Sequence, residues 1–290
     1  MTARFCLTAS NSEKVRMRLK IGEIKYANCT PVYTTLKGQF DCSGYEFIEG
    51  EPALLNGLLV KGEIDVSASS SIEYARHWDE YLIIPGISIS SHGNVGSILF
   101  FSKGPIEDLA GARIAVSSAS ATSVVMLKAL LRFRYGIEAV FSAVKPDLAY
   151  MLDKHDAALL IGDEALKEGK NPPEKGLYVY DLGRLWHEYA RLPFVYALWM
   201  VRKDSAERMP GLCKRLKEDL PAARDKAEGI YDALAISAPE SAWMGVEPLA
   251  AYWKAMSYHL GTQHQKGLML FLELAERLGE APIPPALRFL

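Results

Sequence analysis

Four segments of the chain share one arrangement, in which a short apolar run precedes small polar residues and then a helical pattern. The first is RLKIGEIKY, then ANCTP, then VYTTL, and the second is EIDVSA, then SSS, then IEYARHW. The third is ARIAVS, then SASATS, then VVMLKALLRFRYG, and the fourth is DAALLI, then GDEALKEG. Strands alternating with helices are typical of βαβ units, and runs such as AALLI indicate parallel strands covered on both faces. The sequence therefore predicts an α/β fold.

Helical patterns fill much of the remaining chain. EPALLNGLLVKGE (residues 51–63) is a predicted helix closed by Gly62, and PDLAYMLDKH (146–155) is a shorter one. From about Glu207 onward the strand signal disappears, and three long helical patterns follow. We expect a C-terminal tail made only of helices.

Two apolar runs look like crossings between two halves of the molecule. They are GSILFFSKGPIEDLAG (96–111) and FVYALWMVRKDSA, which ends near residue 206. A chain of 290 residues is long for one domain, because domains usually hold roughly 100 to 200 residues. We expect a discontinuous lobe I, residues 1–108 plus 206–290, and an inserted lobe II, residues 109–205. Residues 1–17 look like a polar extension.

The composition limits the class of partner. A net charge of -2 provides none of the basic excess that binding to a phosphate backbone requires, so no nucleic-acid partner is expected. The N-terminal stretch lacks the apolar run of a signal peptide, and no stretch reaches the about 18 apolar residues of a membrane span. These features predict a cytoplasmic protein that does not bind membranes.

Motifs for metals, nucleotides and common hydrolases are missing from the sequence. The four cysteines lack zinc-type spacing, and His259 and His264 lack the HExxH pattern. Neither GxGxxG, GxxxxGK[ST] nor GxSxG occurs. We therefore expect no metal site.

Polar residues mark the four strand-to-helix junctions, where open parallel sheets bind ligands next to free helix N–H groups. The junction residues are Asn28 and Thr30; Ser69, Ser70 and Ser71; Ser118, Ser120, Thr122 and Ser123; and Gly162 with Asp163. Their hydroxyls and amides suit carboxylates or phosphates. The same residue types are ordinary helix caps, which explains each junction taken alone. Runs such as SASSS exceed the one side chain that a cap uses, and this favours a binding site.

The loop ISISSHGNVGSILFFS is a fifth candidate for the site. Its glycines permit close approach of the backbone to a ligand, although a flexible surface turn is the alternative. His92 in this loop is the histidine best placed for catalysis. The alternative is that His92 is an exposed residue of a surface turn without a catalytic role.

Six blocks of the sequence resemble, in the same order along the chain, the chorismate dehydratases of the futalosine route to menaquinone. The matching blocks are YANCTPVY, EGEPALLNGLLVKGEIDVSASSSIEYA, PGISISSHGNVGSILFFS, SASATSVVMLKALL, LIGDEAL and LPFVYALWMV, which cover most of residues 20–202. The resemblance implies a two-lobed fold like a type II periplasmic binding protein, with a ligand cleft between the lobes and a helical C-terminal tail. Two crossing segments, as inferred above, agree with that fold.

The resemblance also implies an activity, the dehydration of chorismate to 3-[(1-carboxyvinyl)oxy]benzoate without a cofactor. The substrate, chorismate, is a small dicarboxylate. Asn28 is then expected to form a hydrogen bond at the reacting end of chorismate, and Ser97 is expected to contact its leaving hydroxyl or a carboxylate. The expected substrate-binding residues are Tyr26, Ser70, Ser71, Ser91, Gly93, Val95, Gly96, Ser120, Ala121, Thr122, Ser123 and Asp163.

The junctions contain no obvious general base except Asp163 and His92. The hypothesis is therefore that the substrate's own enolpyruvyl carboxylate removes the ring proton while the protein orients it. Ala27, Ala68 and Ser69 depart from the residues usual in the family, which reshapes a wall of the pocket.

Three other functions stay open. An organic-anion binding protein would use the same cleft, but such proteins are normally exported with a signal sequence. The later futalosine-pathway enzyme has the same fold, although the YxN turn and the SSIEYA block fit the dehydratase better. A ligand-sensing domain would need a DNA-binding segment or a basic patch, and neither is evident. The sequence leaves the oligomeric state open.

Overall fold

The computed structural model describes residues 17–117, 121–170 and 176–290. Within these residues the chain forms two β-sheets flanked by helices, which confirms the α/β prediction. The predicted polar extension, residues 1–17, lies outside the described part except for Met17. Across residues 17–117, 121–170 and 176–290, the structure contains no helix with the length and hydropathy of a membrane span.

The first sheet has the strand order β11-β4-β10-β3-β1-β2. Its strands are β1 (Leu19–Ile24), β2 (Tyr45–Gly50), β3 (Val66–Ser70), β4 (Tyr81–Ser91), β10 (Phe194–Arg202) and β11 (Ser257–Leu260). Strand β1 pairs in parallel with β2 and β3, whereas β10 is antiparallel to β3 and β4. The carboxyl ends of β1 and β3 therefore meet at one edge of the sheet.

The second sheet has the order β7-β6-β8-β5-β9. Its strands are β5 (Ile98–Ser102), β6 (Arg113–Ser117), β7 (Val140–Val144), β8 (Ala157–Ile161) and β9 (Tyr178–Asp181). Strand β6 is parallel to β7 and β8, and β5 runs antiparallel to β8 and β9. Ala157, Ala158, Leu159 and Leu160 of β8 are fully buried, as the apolar run AALLI predicts.

Helices follow the four predicted strands at the expected junctions. The helices up to the last crossing are α1 (Thr30–Gln39), α2 (Pro52–Val60), α3 (Ser71–Arg76), α4 (Thr122–Ala129), α5 (Leu148–Lys154), α6 (Gly162–Lys170) and α7 (Leu182–Ala190). A short 3₁₀ helix covers Ile106–Asp108, and a π-helix, Leu130–Tyr135, extends α4. Gly62 follows α2 with φ +72°, the left-handed conformation that glycine adopts readily at a helix end, as predicted.

The C-terminal tail contains one strand among its helices, so the expectation of a purely helical tail is wrong at this point. The helices are α8 (Lys203–Arg208), α9 (Pro210–Glu228), α10 (Tyr231–Ser237), α11 (Ser241–Met244), α12 (Val246–Ala255) and α13 (Thr262–Arg277). Residues 257–260 instead form β11, which pairs with β4. Pairing with a distant strand overrides the local helical pattern there.

Sheet membership differs from the predicted lobe boundaries at two strands. Strand β5 was assigned to lobe I but pairs in the second sheet, and β10 was assigned to lobe II but pairs in the first. The sequence predicts both strands to be crossings between the lobes. The local pattern does not show which sheet a strand joins, because strand pairing depends on residues far away in the chain. We propose that the crossings between the lobes are residues 92–97 and 191–193.

Candidate active site

A cavity with about 600 Å³ of empty space, its open mouth included, lies between the two sheets. Its wall consists of Ile24, Tyr26, Asn28, Cys29, Pro52, Ser70, Ile89, Val95, Ser97, Ile98, Thr122, Ser123, Ile161, Gly162, Tyr196, Ala197 and Met256. Within the described residues this wall carries no charged side chain, so neutral dipoles would have to hold an anionic ligand.

Half of the predicted site residues lie on this wall. They are Tyr26, Asn28, Ser70, Val95, Ser97, Thr122 and Ser123. Six others are outside the wall, namely Ser71, Ser91, Gly93, Gly96, Ala121 and Asp163. Ser120 lies outside the described residues.

Asn28 lies in the turn between β1 and α1. The backbone N–H of Cys29 donates to the carbonyl oxygen of Tyr26 at 2.8 Å, which closes the turn. The Oδ1 atom of Asn28 is buried and has no hydrogen-bond partner among the described residues. A buried acceptor without a partner costs about 1–3 kcal/mol, so this amide is arranged for a donor that a ligand can supply.

Two neighbouring segments hold this turn in place. The backbone N–H of Ala27 donates to Asp163 Oδ1 at 3.0 Å, and Trp253 Nε1 donates to the Ala27 carbonyl oxygen at 2.7 Å. Asp163 lies in the first turn of α6 beside the second sheet, and Trp253 belongs to α12 of the tail. Burial raises the pKa of Asp163 to about 6, and the bond from Ala27 opposes part of that shift.

Tyr26 lies against the start of α6. A Cβ atom at Gly162 would lie 2.9 Å from Tyr26 Cε2, and Gly162 has φ +64°. Both facts favour glycine at this junction. The Tyr26 hydroxyl donates to Glu51 Oε2 at 2.8 Å, at the start of α2. Burial, together with that bond, raises the pKa of Tyr26 far above its usual value.

Ser97 lies directly before β5 and is almost fully buried. Its carbonyl oxygen accepts from the N–H of Gly162 at 2.8 Å. Its side-chain oxygen accepts a hydrogen bond of 2.9 Å from the hydroxyl of Tyr252 in α12. The Ser97 hydroxyl hydrogen is therefore not used by Tyr252.

Asp181 shapes the turn that precedes Ser97. Its carboxylate accepts from the N–H groups of Val95 at 2.9 Å and of Gly96 at 2.7 Å. It also caps α7 by accepting from Arg184 N at 3.1 Å. Burial raises the pKa of Asp181, although these backbone bonds stabilise the carboxylate and limit the rise.

Two predicted substrate ligands have hydroxyls that are used inside the protein. Ser71 is fully buried and donates to the Val195 carbonyl oxygen at 2.8 Å. Ser91 donates to the Gly93 carbonyl oxygen at 3.0 Å, and the Tyr196 hydroxyl lies 2.9 Å from its oxygen. Because each serine has a single hydroxyl hydrogen, both serve as supports of the site rather than as donors to a ligand.

Thr122 lies where α3 and α4 begin side by side. Its hydroxyl oxygen accepts from the backbone N–H of Ile72 at 3.2 Å and is 3.4 Å from Ser71 Oγ. These contacts join the helix after β3 of the first sheet to the helix after β6 of the second. Ser70 next to them is partly exposed on the wall, within 3.4 Å of Asn56 Nδ2.

His92, the histidine expected to be best placed for catalysis, does not lie on the cavity wall. It is exposed, and its ring packs edge-on against His264 with the ring centroids 4.9 Å apart. Burial, followed by the nearby His92, lowers the pKa of His264 to about 4. The structure therefore favours the alternative of an exposed turn residue.

Sequence reasoning did not identify Tyr252, Trp253 or Asp181 as parts of the site. Trp186, Trp199 and Trp253 are fully buried in the core. Trp253 also holds the Asn28 turn, as described above. No local signal marks these roles, because each depends on contact with a residue at least 80 positions away.

Residues 19–277 match the model of the menaquinone biosynthesis family. The chain belongs to this family. The resemblance inferred from the motifs is thereby confirmed. A chorismate dehydratase from Thermus thermophilus is 32% identical over 268 residues, covering 87% of this chain and 93% of the relative. A chorismate dehydratase from Campylobacter jejuni is 28% identical over 265 residues, covering 90% and 99%. A 1,4-dihydroxy-6-naphtoate synthase from Thermus thermophilus is 25% identical over 240 residues, covering 79% and 83%.

Solved structures confirm the two-lobed fold of this chain. A protein from Archaeoglobus fulgidus matches with a TM-score of 0.69 at 22% identity, covering 90% of this chain and 98% of that one. The alkanesulfonate-binding protein from Xanthomonas axonopodis, bound to MOPS, matches with a TM-score of 0.63 at 18% identity, covering 91% and 94%. At sequence identities this low, the similarity to these structures concerns the fold alone. That fold is the one like a periplasmic binding protein that the family resemblance implies.

Proposed function

We propose that this protein dehydrates chorismate to 3-[(1-carboxyvinyl)oxy]benzoate in the futalosine route to menaquinone, which makes it a carbon–oxygen lyase. The observation that carries the proposal is the interlobe cavity, where Asn28 and Ser97 share one uncharged wall. The 32% identity to a chorismate dehydratase over most of the chain supports it.

The chemistry follows from the substrate. Chorismate carries two carboxylates, and its ring proton at C3 is acidified because carbanion charge can spread through the C1–C2 double bond onto the ring carboxylate. Removal of that proton and departure of the C4 hydroxyl as hydroxide together release one water. The ring then becomes aromatic, which drives the reaction forward.

The wall offers the groups that this elimination needs. The Ser97 hydroxyl is assigned to the leaving oxygen, and the Asn28 amide to the reacting end of the ring. Thr122 and Ser123, at the start of α4, are assigned to one carboxylate, where the helix N-terminus favours negative charge. Preorganised neutral donors in an enclosed site stabilise charge that develops in the transition state.

The base is assigned to the enolpyruvyl carboxylate of the substrate. Asp163 is outside the wall, and one of its carboxylate oxygens accepts the Ala27 N–H. His92 is exposed and also outside the wall. An uncharged wall forms no ion pair with the substrate carboxylate, which keeps that carboxylate basic.

The direct test is to incubate the purified protein with chorismate and follow the loss of one water by mass spectrometry and the new aromatic absorbance. Turnover without added metal or cofactor is the expected result. Tight binding of chorismate with no turnover would instead support an organic-anion binding protein. The cytoplasmic location expected from the sequence stays a prediction.

The assignment of the base has its own test, Asp163→Asn. We expect this variant to retain turnover, because an asparagine oxygen can still accept the Ala27 N–H. Loss of turnover with chorismate binding intact would transfer the role of base to Asp163.

A further inference from the structure

We infer that Tyr252 is a positioning residue, which directs the hydroxyl hydrogen of Ser97 into the cavity. The inference rests on the proposed function and extends it to a residue of the C-terminal tail. It starts from the hydrogen bond of 2.9 Å that the Tyr252 hydroxyl donates to Ser97 Oγ.

The direction of this bond decides what Ser97 can do. A serine hydroxyl has one hydrogen and two lone pairs, and the bond from Tyr252 occupies a lone pair. Among the described residues no other hydrogen bond involves the Ser97 side chain. The hydrogen of Ser97 is therefore left for a group inside the cavity that Ser97 lines. Accepting a hydrogen bond also polarises the serine and makes it a stronger donor.

Tyr252 is held rigidly enough to set this direction. It is only 8% exposed, and Ser97 is only 2% exposed. A Cβ atom at Gly96 would lie 4.0 Å from Tyr252 Cδ2, so the tyrosine ring packs against the turn that carries Ser97. A hydroxyl fixed by packing on a helix orients its partner at little entropic cost.

The next residue of α12 ties the same helix to the other reacting group. Trp253 is fully buried, and its Nε1 donates at 2.7 Å to the carbonyl oxygen of Ala27, which precedes Asn28. Its ring also packs near Tyr231, with centroids 6.0 Å apart. Two consecutive residues of one helix thus reach the turns of Asn28 and Ser97, and α12 sets the spacing between them.

The surroundings of Tyr252 favour a hydroxyl that donates a hydrogen bond and does not give up its proton. Burial raises the pKa of Tyr252 far above its usual value, and the carboxylates of Asp163 and Asp181 add to the rise. The bond to Ser97 opposes it only in part. The phenol therefore remains protonated and keeps donating to Ser97 throughout the working pH range.

The test compares four proteins in chorismate turnover: the wild type, Tyr252→Phe, Ser97→Ala and the double variant. Phenylalanine keeps the ring and removes only the hydroxyl. We expect kcat of Tyr252→Phe to fall about 10- to 50-fold while KM changes less than about threefold, since the lost interaction acts in the transition state. The double variant should match Ser97→Ala within about threefold, because Tyr252 acts only through Ser97.

A matched control is Tyr258→Phe. The Tyr258 hydroxyl is buried in the same part of the chain and has no hydrogen-bond partner among the described residues. This control should keep the wild-type kcat. The melting temperature of Tyr252→Phe should stay within about 4 °C of wild type, as loss of one hydrogen bond implies for a chain of this size.

The outcomes separate the inference from the proposed function. Turnover by the wild type together with full activity of Tyr252→Phe would overturn the inference alone. Additive losses in the double variant would also overturn it, since they would show that Tyr252 acts independently of Ser97. A wild-type protein that does not turn over chorismate would overturn the proposed function, and the inference with it.

Discussion

The backbone N–H of Ala27 donates a hydrogen bond of 3.0 Å to the carboxylate of Asp163. The donor belongs to the turn after β1 in the first sheet, and the acceptor starts the helix after β8 in the second. This bond therefore spans the cleft, directly beside Asn28. It joins the two sheets at Asp163, for which the sequence predicts a substrate contact instead.

Asp163 is expected to make stability depend on pH. Its pKa is raised from 3.8 to about 6, mainly by burial, so the folded protein binds this proton more tightly than the unfolded chain. The contribution of this group to the free energy of unfolding is therefore greatest below pH 4 and is lost as pH rises through about 6. In Asp163→Asn, the free energy of unfolding should lack this pH-dependent contribution when it is measured by urea unfolding from pH 4 to pH 8. Asp153→Asn, at an exposed carboxylate, is the control and should keep the wild-type pH profile.

Asn28→Ala should impair turnover without weakening the fold. We expect kcat/KM for chorismate to fall about 100- to 1,000-fold, as for removal of one preorganised polar group from an enclosed active site. The melting temperature should be unchanged or higher, because the buried Oδ1 has no partner among the described residues to lose. Gln39→Ala removes an exposed amide at the end of α1 and serves as the control. A variant with normal kcat/KM would remove Asn28 from the mechanism.

Gly162→Ala should destabilise the protein and disturb the site together. The added Cβ would lie 2.9 Å from the Tyr26 ring, and the φ of +64° is unfavourable for alanine by about 1–2 kcal/mol. We expect a loss of about 1–3 kcal/mol in the free energy of unfolding and weaker chorismate binding by calorimetry. At Gly57, inside α2, an added Cβ meets nothing within 4 Å. Gly57→Ala should therefore stabilise by about 0.5–1 kcal/mol, and equal effects at the two glycines would contradict this account.

Much of the fold could be predicted because its signals are local. The strands β1, β3, β6 and β8, each followed by small polar residues and a helix, are marked by apolar runs and capping residues that lie within a few positions of one another. The same signals marked the junction of Asn28, and the family resemblance singled out Asn28 and Ser97, which both lie on the cavity wall.

The rest depends on contacts between distant residues. The pairing of β5 with β8 and of β10 with β4 decides sheet membership, and neither is visible in the sequence pattern. The hydroxyl of Ser71 was expected to face a ligand, yet it donates to Val195, which is 124 positions away. Side-chain direction at such junctions depends on which backbone acceptor the fold places nearby, and local pattern does not determine it.

Asp181→Ala should disrupt the turn that carries Ser97. The carboxylate accepts from the N–H groups of Val95 and Gly96 and also caps α7, so its loss removes the acceptor of the buried Val95 N–H and of two further backbone donors. We expect the free energy of unfolding to fall by about 2–4 kcal/mol and kcat to fall as Ser97 moves. Asp147→Ala is the matched control, because Asp147 caps the exposed start of α5 through Tyr150 N and touches no part of the cavity wall. That control should cost about 1 kcal/mol, measured by urea unfolding, and should leave kcat unchanged. If both variants lost stability equally and kept full kcat, the Asp181 carboxylate would be a helix cap and nothing more.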